Sequence, residues 1–319
     1  MINFTYLSKG LNALARAHLL GPMSGHLGAS VIAGYFVGEQ HPDLDDTVIH
    51  GIENDLERVI RGDSVFGASN KKNVRINDPE LFAPFAKEVP DENRIDDIAD
   101  ALRPTLNKPR ASGHNVIFAA LAIRALKDHP EYATPSIIDG ICALMHLFQN
   151  AHPGSGYYGK AKGRIQGHKI KLPDTDDAFP PYNNVVDMAE AVIDEHIAQD
   201  IITRRQGYGG LEHVNNHAAA IIDLARYQYD ELIPAALKSH HQHFRLWKNL
   251  PDISSELGPK NPAVNHPLRA AYWTSEDLHY NGAVLTHRVK TMYGFDELAD
   301  TIENVHRKKK ASENLRFLM

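Results

Sequence analysis

Apolar residues recur at three- and four-residue spacing from one end of this chain to the other, while the alternation expected of strands is sparse, which confines it to an all-α fold. The pattern divides into helical hairpins. Leu27, Val31, Ile32 and Tyr35 mark one face of a helix broken by His41-Pro42, and Asp43-Leu44-Asp45-Asp46 opens a second helix running to about Arg61 before Gly62. Val116 through Leu126 repeat the plan and end at His129-Pro130, after which Thr134 caps a new helix with Pro135 at its first position. A third unit runs from Leu211 to about Tyr227 and restarts near Asp230, continuing past His243 to Trp247. A fourth runs from Ser275 to Met292, stops at Tyr293-Gly294 and restarts at Phe295-Asp296-Glu297.

Each leading helix is rich in small apolar residues and each following helix carries more charge, which suits an inner and an outer ring. The expectation is a single all-helical domain over residues 1–319, its hairpins forming an α/α-toroid-like array around a central cavity. Residues 1–23 read as a docking helix, with Leu7, Leu11, Leu14 and Leu19 at helical spacing, and a further helix spans about Asn184 to Arg205. Between the second and third units, residues 150–183 are irregular and rich in glycine, proline and tyrosine. Such a length without periodicity reads as a lid-like insertion, with Lys160, Lys162, Arg164 and Lys169 beside Tyr157 and Tyr158 at the cavity mouth.

The leading helices share a second feature, a histidine at or just inside each apparent start: His26, His114, His213 with His217, and His279. Helices running the same way around a ring would bring these imidazoles into one pocket. A helix N-terminus favours the neutral ring, which suits a general base or a donor to an oxyanion. The catalytic set is therefore His26, His114, His217 and His279, with Arg124, His213, Tyr280, Tyr157 and Tyr158 as substrate-binding candidates. A metal alternative uses His213 and His217, four apart on one helix face, with His279 and His287, which share another. Two clusters read as ordinary surface: Glu190, Asp194, Glu195, His196 and Asp200 as a solvated acidic face, and His240-His241-x-His243 on an outer helix.

Composition narrows the function classes. Thirty-four Lys and Arg against 40 Asp and Glu give a net charge of −6, which offers no basic field for a phosphate backbone, so nucleic acid is excluded as a partner. The basic run His306 to Lys310 is expected at the end of the last helix, where it would complement the dipole. The one cysteine, Cys142, reads as a buried inert thiol. No stretch approaches the roughly 20 apolar residues of a membrane span, so the expected location is the cytoplasm, with a homodimer as the oligomer considered. No Gly-x-Gly-x-x-Gly, phosphate-loop or nucleophile-elbow pattern occurs.

Four short segments, in order, resemble the questin oxidase-like family. Gly25-His26-Leu27-Gly28-Ala29 resembles its opening helix, and Gly113-His114 through Arg124-Ala125-Leu126 resembles its Ala-Val-Arg-Ala-Leu segment. His217-Ala218-Ala219-Ala220 is similar to its His-Ala-Val-Thr start, and Asp277-Leu278-His279 to its Asp-Glu-His start. Leu121 and Leu278 stand where the family has histidine and glutamate. The resemblance implies an oxidoreductase performing oxygen-dependent, Baeyer-Villiger-type opening of an aromatic or polyketide-like ring, with NADPH as reductant. Two other classes stand beside it: a metal-dependent hydrolase or lyase on the same scaffold, and a non-catalytic helical binding module, which predicts dispersed histidines and no deep cavity.

Overall fold

The computed structural model describes residues 1–72, 74–173, 179–279 and 282–319, and the backbone alone at 277, 279 and 282–284. Within them the all-α expectation stands: 64% is helical and the sheet has two strands. The helices are α1 (Thr5–Arg16), α2 (Gly25–Gln40), α3 (Asp46–Arg61), α4 (Asp78–Phe82), α5 (Asp96–Leu102), α6 (His114–Asp128), α7 (Pro135–His146), α8 (Val185–Ile197), α9 (Gly210–Arg226), α10 (Ile233–Lys248), α11 (Ser254–Leu257), α12 (Ala270–Trp273), α13 (Gly282–Thr301) and α14 (Val305–Asn314). Among the described residues no helix is long and apolar enough to cross a membrane.

Burial separates the helices into two kinds. All of α2 from Gly25 to Gly38 and all of α6 from His114 to Leu126 are buried, as core helices without a solvent face must be. α3 instead buries Val48, Ile49, Ile52, Asp55, Leu56 and Val59, the single stripe of a surface helix, between an Asp45 cap on the Thr47 N–H and a left-handed Gly62. α2 packs on α6, α6 on α9, α9 on α13 and α13 on α2, so the four leading helices close a ring of contacts. They run parallel, because their first turns meet through histidines at one end and their later turns meet through Gln40, Arg124, Asp223 and Glu297 at the other. α1 is pressed against α2 at Gly28, where a Cβ would lie 2.3 Å from the Leu14 nitrogen.

The structure corrects several boundaries. The middle of the ring is filled, with a void of about 10 Å³ between Ile117, Leu121, Asn216, Ala220, Lys290 and Tyr293, and a cavity of about 710 Å³ lies at the N-terminal end of the four helices rather than at the centre. α13 does not stop at Tyr293-Gly294. Gly294 sits mid-helix because a Cβ there would meet Asn215 Nδ2 at 2.5 Å and Asn216 Oδ1 at 2.6 Å on α9. α8 ends at Ile197, and Asp200 then turns the chain by accepting from the Ile202 and Thr203 N–H groups. The basic run opens α14 instead of closing a helix: Asn304 caps it, and Arg307 pairs with Glu190 and Asp194 on α8, so that acidic face is partly neutralised. Cys142 is half-buried, not buried.

The 150–183 segment is more ordered than a lid made of coil. β1 (Ser155–Tyr157) and β2 (Arg164–Gln166) form an antiparallel hairpin, and Gly156 bridges to Gly207, tying it to the loop before α9. Residues 174–178 of the segment lie outside the described residues.

A candidate histidine centre at the ends of four helices

Two loops deliver two of the histidines by the same device. Ala111, Ser112 and Gly113 all have left-handed backbone, with φ of 44°, 59° and 86°, immediately before His114 opens α6. Tyr208, Gly209 and Gly210, with φ of 51°, 78° and 76°, precede the first turn of α9. The run of positive φ turns one carbonyl back onto each ring: Ala111 O accepts from His114 Nδ1, and Gly209 O accepts from His213 Nδ1. A non-glycine residue in this region costs about 1–2 kcal/mol, so Ala111, Ser112 and Tyr208 store strain that the surrounding contacts must hold. Those contacts are visible. The Ala111 and Ser112 N–H groups donate to His152 O and Pro153 O, and the Tyr208 N–H donates to Ser155 O on β1.

With Nδ1–H fixed on a carbonyl, His114 and His213 each present an Nε2 lone pair inward. His114 Nε2 lies 2.7 Å from His26 Nε2 and 3.1 Å from His213 Nε2. His287, from α13, completes the group, its ring 4.7 Å from those of both His26 and His213. His26, His213 and His287 offer nitrogen atoms that all lie within 4.8 Å of one another, a separation that could hold a metal ion. Lys290, one turn after His287 and 2% exposed, reaches His26 Nδ1 at 2.5 Å, and Phe66 stacks on His26 at 4.1 Å. The cluster floors a cavity of about 710 Å³ whose lining includes Phe66, Tyr208, Trp247 and Glu212 and the more exposed Arg164, Arg204, Arg205 and Lys260.

Burial sets the electrostatics. It pushes His26 and His213 well below the ordinary imidazole range and His114 to about 3, with Lys290 adding to the effect, so these rings are neutral at pH 7 and poor bases. The same burial brings Lys290 down to about 7 and Glu212 up to about 7. Glu212 is partly accessible from the cavity although it lies deep beneath the outer surface. Lys290 and Glu212 are thus the groups here that an arrangement of this kind could use for proton transfer, while His114 and His213 offer lone pairs.

Of the residues singled out in the sequence, His26, His114 and His213 are brought together. His217 is not: it turns away from the cavity and forms a second buried group with His240 and His243. There His217 Nδ1 lies 3.2 Å from His243 Nδ1, and His243 Nε2 donates to Tyr208 O, which holds the strained turn before His213 in place. His240 and His243 are thus core residues, not surface ones. The metal set built on His213 and His217 accordingly loses His217, and the described residues that could hold an ion are His26, His213 and His287. His196 also leaves the proposed acidic face, being buried on Asn215 Oδ1 at 3.0 Å.

Arg124 lies ten residues beyond His114, about 15 Å along α6, in a buried network with Asp223, Tyr293 and Glu297. Tyr157 donates to Glu256 and Tyr158 pairs with Tyr208, so both brace the hairpin and neither lines the cavity; Ser155 and Arg164 of the same hairpin do. The side chain of His279 and the whole of Tyr280 lie outside the described residues. The sequence reading placed His287 only in the metal alternative and passed over Lys290, although their i,i+3 spacing puts both on one face of a helix. No family model, curated protein or solved structure matches the chain.

Proposed function

We propose that the chain is an oxidoreductase acting with oxygen on a phenolic or similarly enolisable aromatic molecule held in the cavity. The observation that carries this reading is the meeting of His26, His114, His213 and His287 near the positive ends of four parallel helices. A phenol drawn past the basic residues of the lining would pass its proton to Glu212 or Lys290. The phenolate is then stabilised by the helix N-termini, and its electron-rich ring is the form that oxygen attacks. The cluster and cavity also argue against a binding module without chemistry, which would leave its histidines scattered.

The questin oxidase-like resemblance supports a Baeyer-Villiger outcome. One oxygen atom enters between the carbonyl carbon and its ring neighbour, the other leaves as water, and NADPH supplies the two electrons. Arg164, Arg204, Arg205 and Lys260 suit the phosphates of such a reductant, whereas the described strands, three residues each, provide no Rossmann sheet. Glu212 on the cavity wall favours a second reading, metal-assisted hydrolysis with this carboxylate as base. The two separate in one experiment: incubate the protein with NADPH and a hydroxyanthraquinone under isotopically labelled oxygen gas. Incorporation of one labelled atom, lost in a folded His213→Ala variant, supports the oxidase. No oxygen-dependent product above a heat-inactivated control overturns it.

A further inference from the structure

We infer that His26, His114, His213 and His287 form a binding site for one divalent first-row transition-metal ion. The argument begins with hydrogen-bond bookkeeping. His114 and His213 each spend their single ring proton on a backbone carbonyl, so the 3.1 Å between their Nε2 atoms separates two lone pairs. At that distance two lone pairs repel unless something positive lies near them, and His26 Nε2, 2.7 Å from His114 Nε2, can offer a proton to His114 but leaves the His213 lone pair unanswered. A shared proton could join only two of the gathered rings.

A metal ion fits better, since it bonds to several lone pairs at once. Nitrogens about 2.1 Å from one ion stand roughly 3.0 Å apart at a right angle and roughly 3.4 Å apart at the tetrahedral angle. The His114–His213 separation of 3.1 Å falls in that interval, and the His26–His114 separation of 2.7 Å is shorter than it, so His26 must draw back by a few tenths of an ångström when an ion binds. The outer hydrogen bonds agree as well: a metal-ligating histidine characteristically donates its other ring N–H to a carbonyl or carboxylate, as His114 and His213 do here. His26, His213 and His287 offer nitrogen atoms all within 4.8 Å of one another, and His114 joins them through its contacts with His26 and His213. An all-imidazole donor set selects iron, cobalt, nickel, copper or zinc over magnesium or calcium. It leaves the ion's double positive charge uncompensated by its ligands, ready for an anionic oxygen ligand from the cavity.

This inference uses the same cluster as the proposed function, but it is read without turnover, so either can fail alone. The test is titration of chelator-stripped full-length protein with Co(II), followed by its visible ligand-field bands. One equivalent is expected to bind to the wild type. His114→Ala and His213→Ala should weaken binding by more than the roughly 100-fold that loss of an outer partner costs. His152→Ala is the control, since exposed His152 and His168 stack at 4.3 Å and offer a competing surface pair. Wild-type binding that survives both cluster variants, or that is abolished by His152→Ala, overturns the inference, as does no binding at all. Should the cluster variants fail to fold, Cu(II)-loaded wild type still decides. Hyperfine coupling to three or more imidazole nitrogens supports the site, and coupling to two or fewer overturns it.

Discussion

Arg124→Met separates a structural role for this arginine from the substrate-binding role that its sequence context suggested. Arg124 Nη1 contacts Asp223 Oδ1 at 3.3 Å, Glu297 Oε1 at 2.5 Å and the Tyr293 hydroxyl at 3.0 Å, and the guanidinium lies 4.2 Å over the Phe36 ring. Asp223 and Glu297 are 1% and 2% exposed, so the two carboxylates share almost no water. Methionine keeps much of the stem's volume but removes the charge, leaving the pair with Arg226, 41% exposed, as the cation among the described contacts and with the neutral donors Tyr293 and Gln40. Breaking a buried ion pair by deleting one partner costs about 3–5 kcal/mol.

The loss should depend on pH with a definite sign. Burial, then the neighbouring Glu297, already raises Asp223 above the ordinary carboxylate range, while Glu297 keeps its charge on the arginines. Loss of Arg124 raises Asp223 further. A carboxyl whose folded pKa exceeds its unfolded value stabilises the fold when protonated, and that contribution is lost as pH rises through the folded pKa. The variant's deficit should therefore be smaller near pH 5 than near pH 8, measured by urea denaturation followed by circular dichroism at both. Because the network sits about 15 Å from the histidines along α6, Co(II) binding per folded molecule should be unchanged. A deficit below about 1 kcal/mol together with weakened Co(II) binding would refute the reasoning and return Arg124 to the cavity.

Three further outcomes follow from individual contacts. Gly209→Ala places a Cβ 2.2 Å from His213 Cγ at a φ of 78°, so it should cost at least about 2 kcal/mol in thermal unfolding and displace the His213 ring; unchanged stability would show that the turn is not strained as described. The Asp296 hydrogen bond raises His41, a stabilisation fully present below the unfolded imidazole pKa and lost as pH rises through the folded one; burial raises Asp296 with the same sign. Asp296→Asn, which removes one titrating group and the cause of the other's rise, should flatten this decline in melting temperature, and an unaltered slope would contradict the pairing. Burial, with Asp97 and Asp139, pushes the Cys142 thiol up to about 11, so alkylation at pH 7 should be about 100-fold slower than for an unperturbed thiol.

The helical class, the four leading helices and the convergence of His26, His114 and His213 were legible because a 3.6-residue period and a shared position at helix starts are local signals. What was illegible depended on partners far along the chain. His217 lies on the same face of α9 as His213 by spacing alone, yet the neighbouring helix is α10, whose His243 draws it away from the cavity. Gly294 looks like a helix stop until α9 is packed against it, and Arg124 looks like a pocket residue until Asp223 and Glu297 are seen to enclose it. The left-handed runs at 111–113 and 208–210 escape a periodicity argument, because only three of those six residues are glycine.

The most direct measurement is an anomalous difference map from crystals of the purified protein, collected at the absorption edge of whatever metal elemental analysis finds. A single peak within about 2.2 Å of the Nε2 atoms of both His114 and His213 is the expected result. No peak in the cavity, with those nitrogens drawn more than about 5 Å apart, would contradict the convergence on which the site rests.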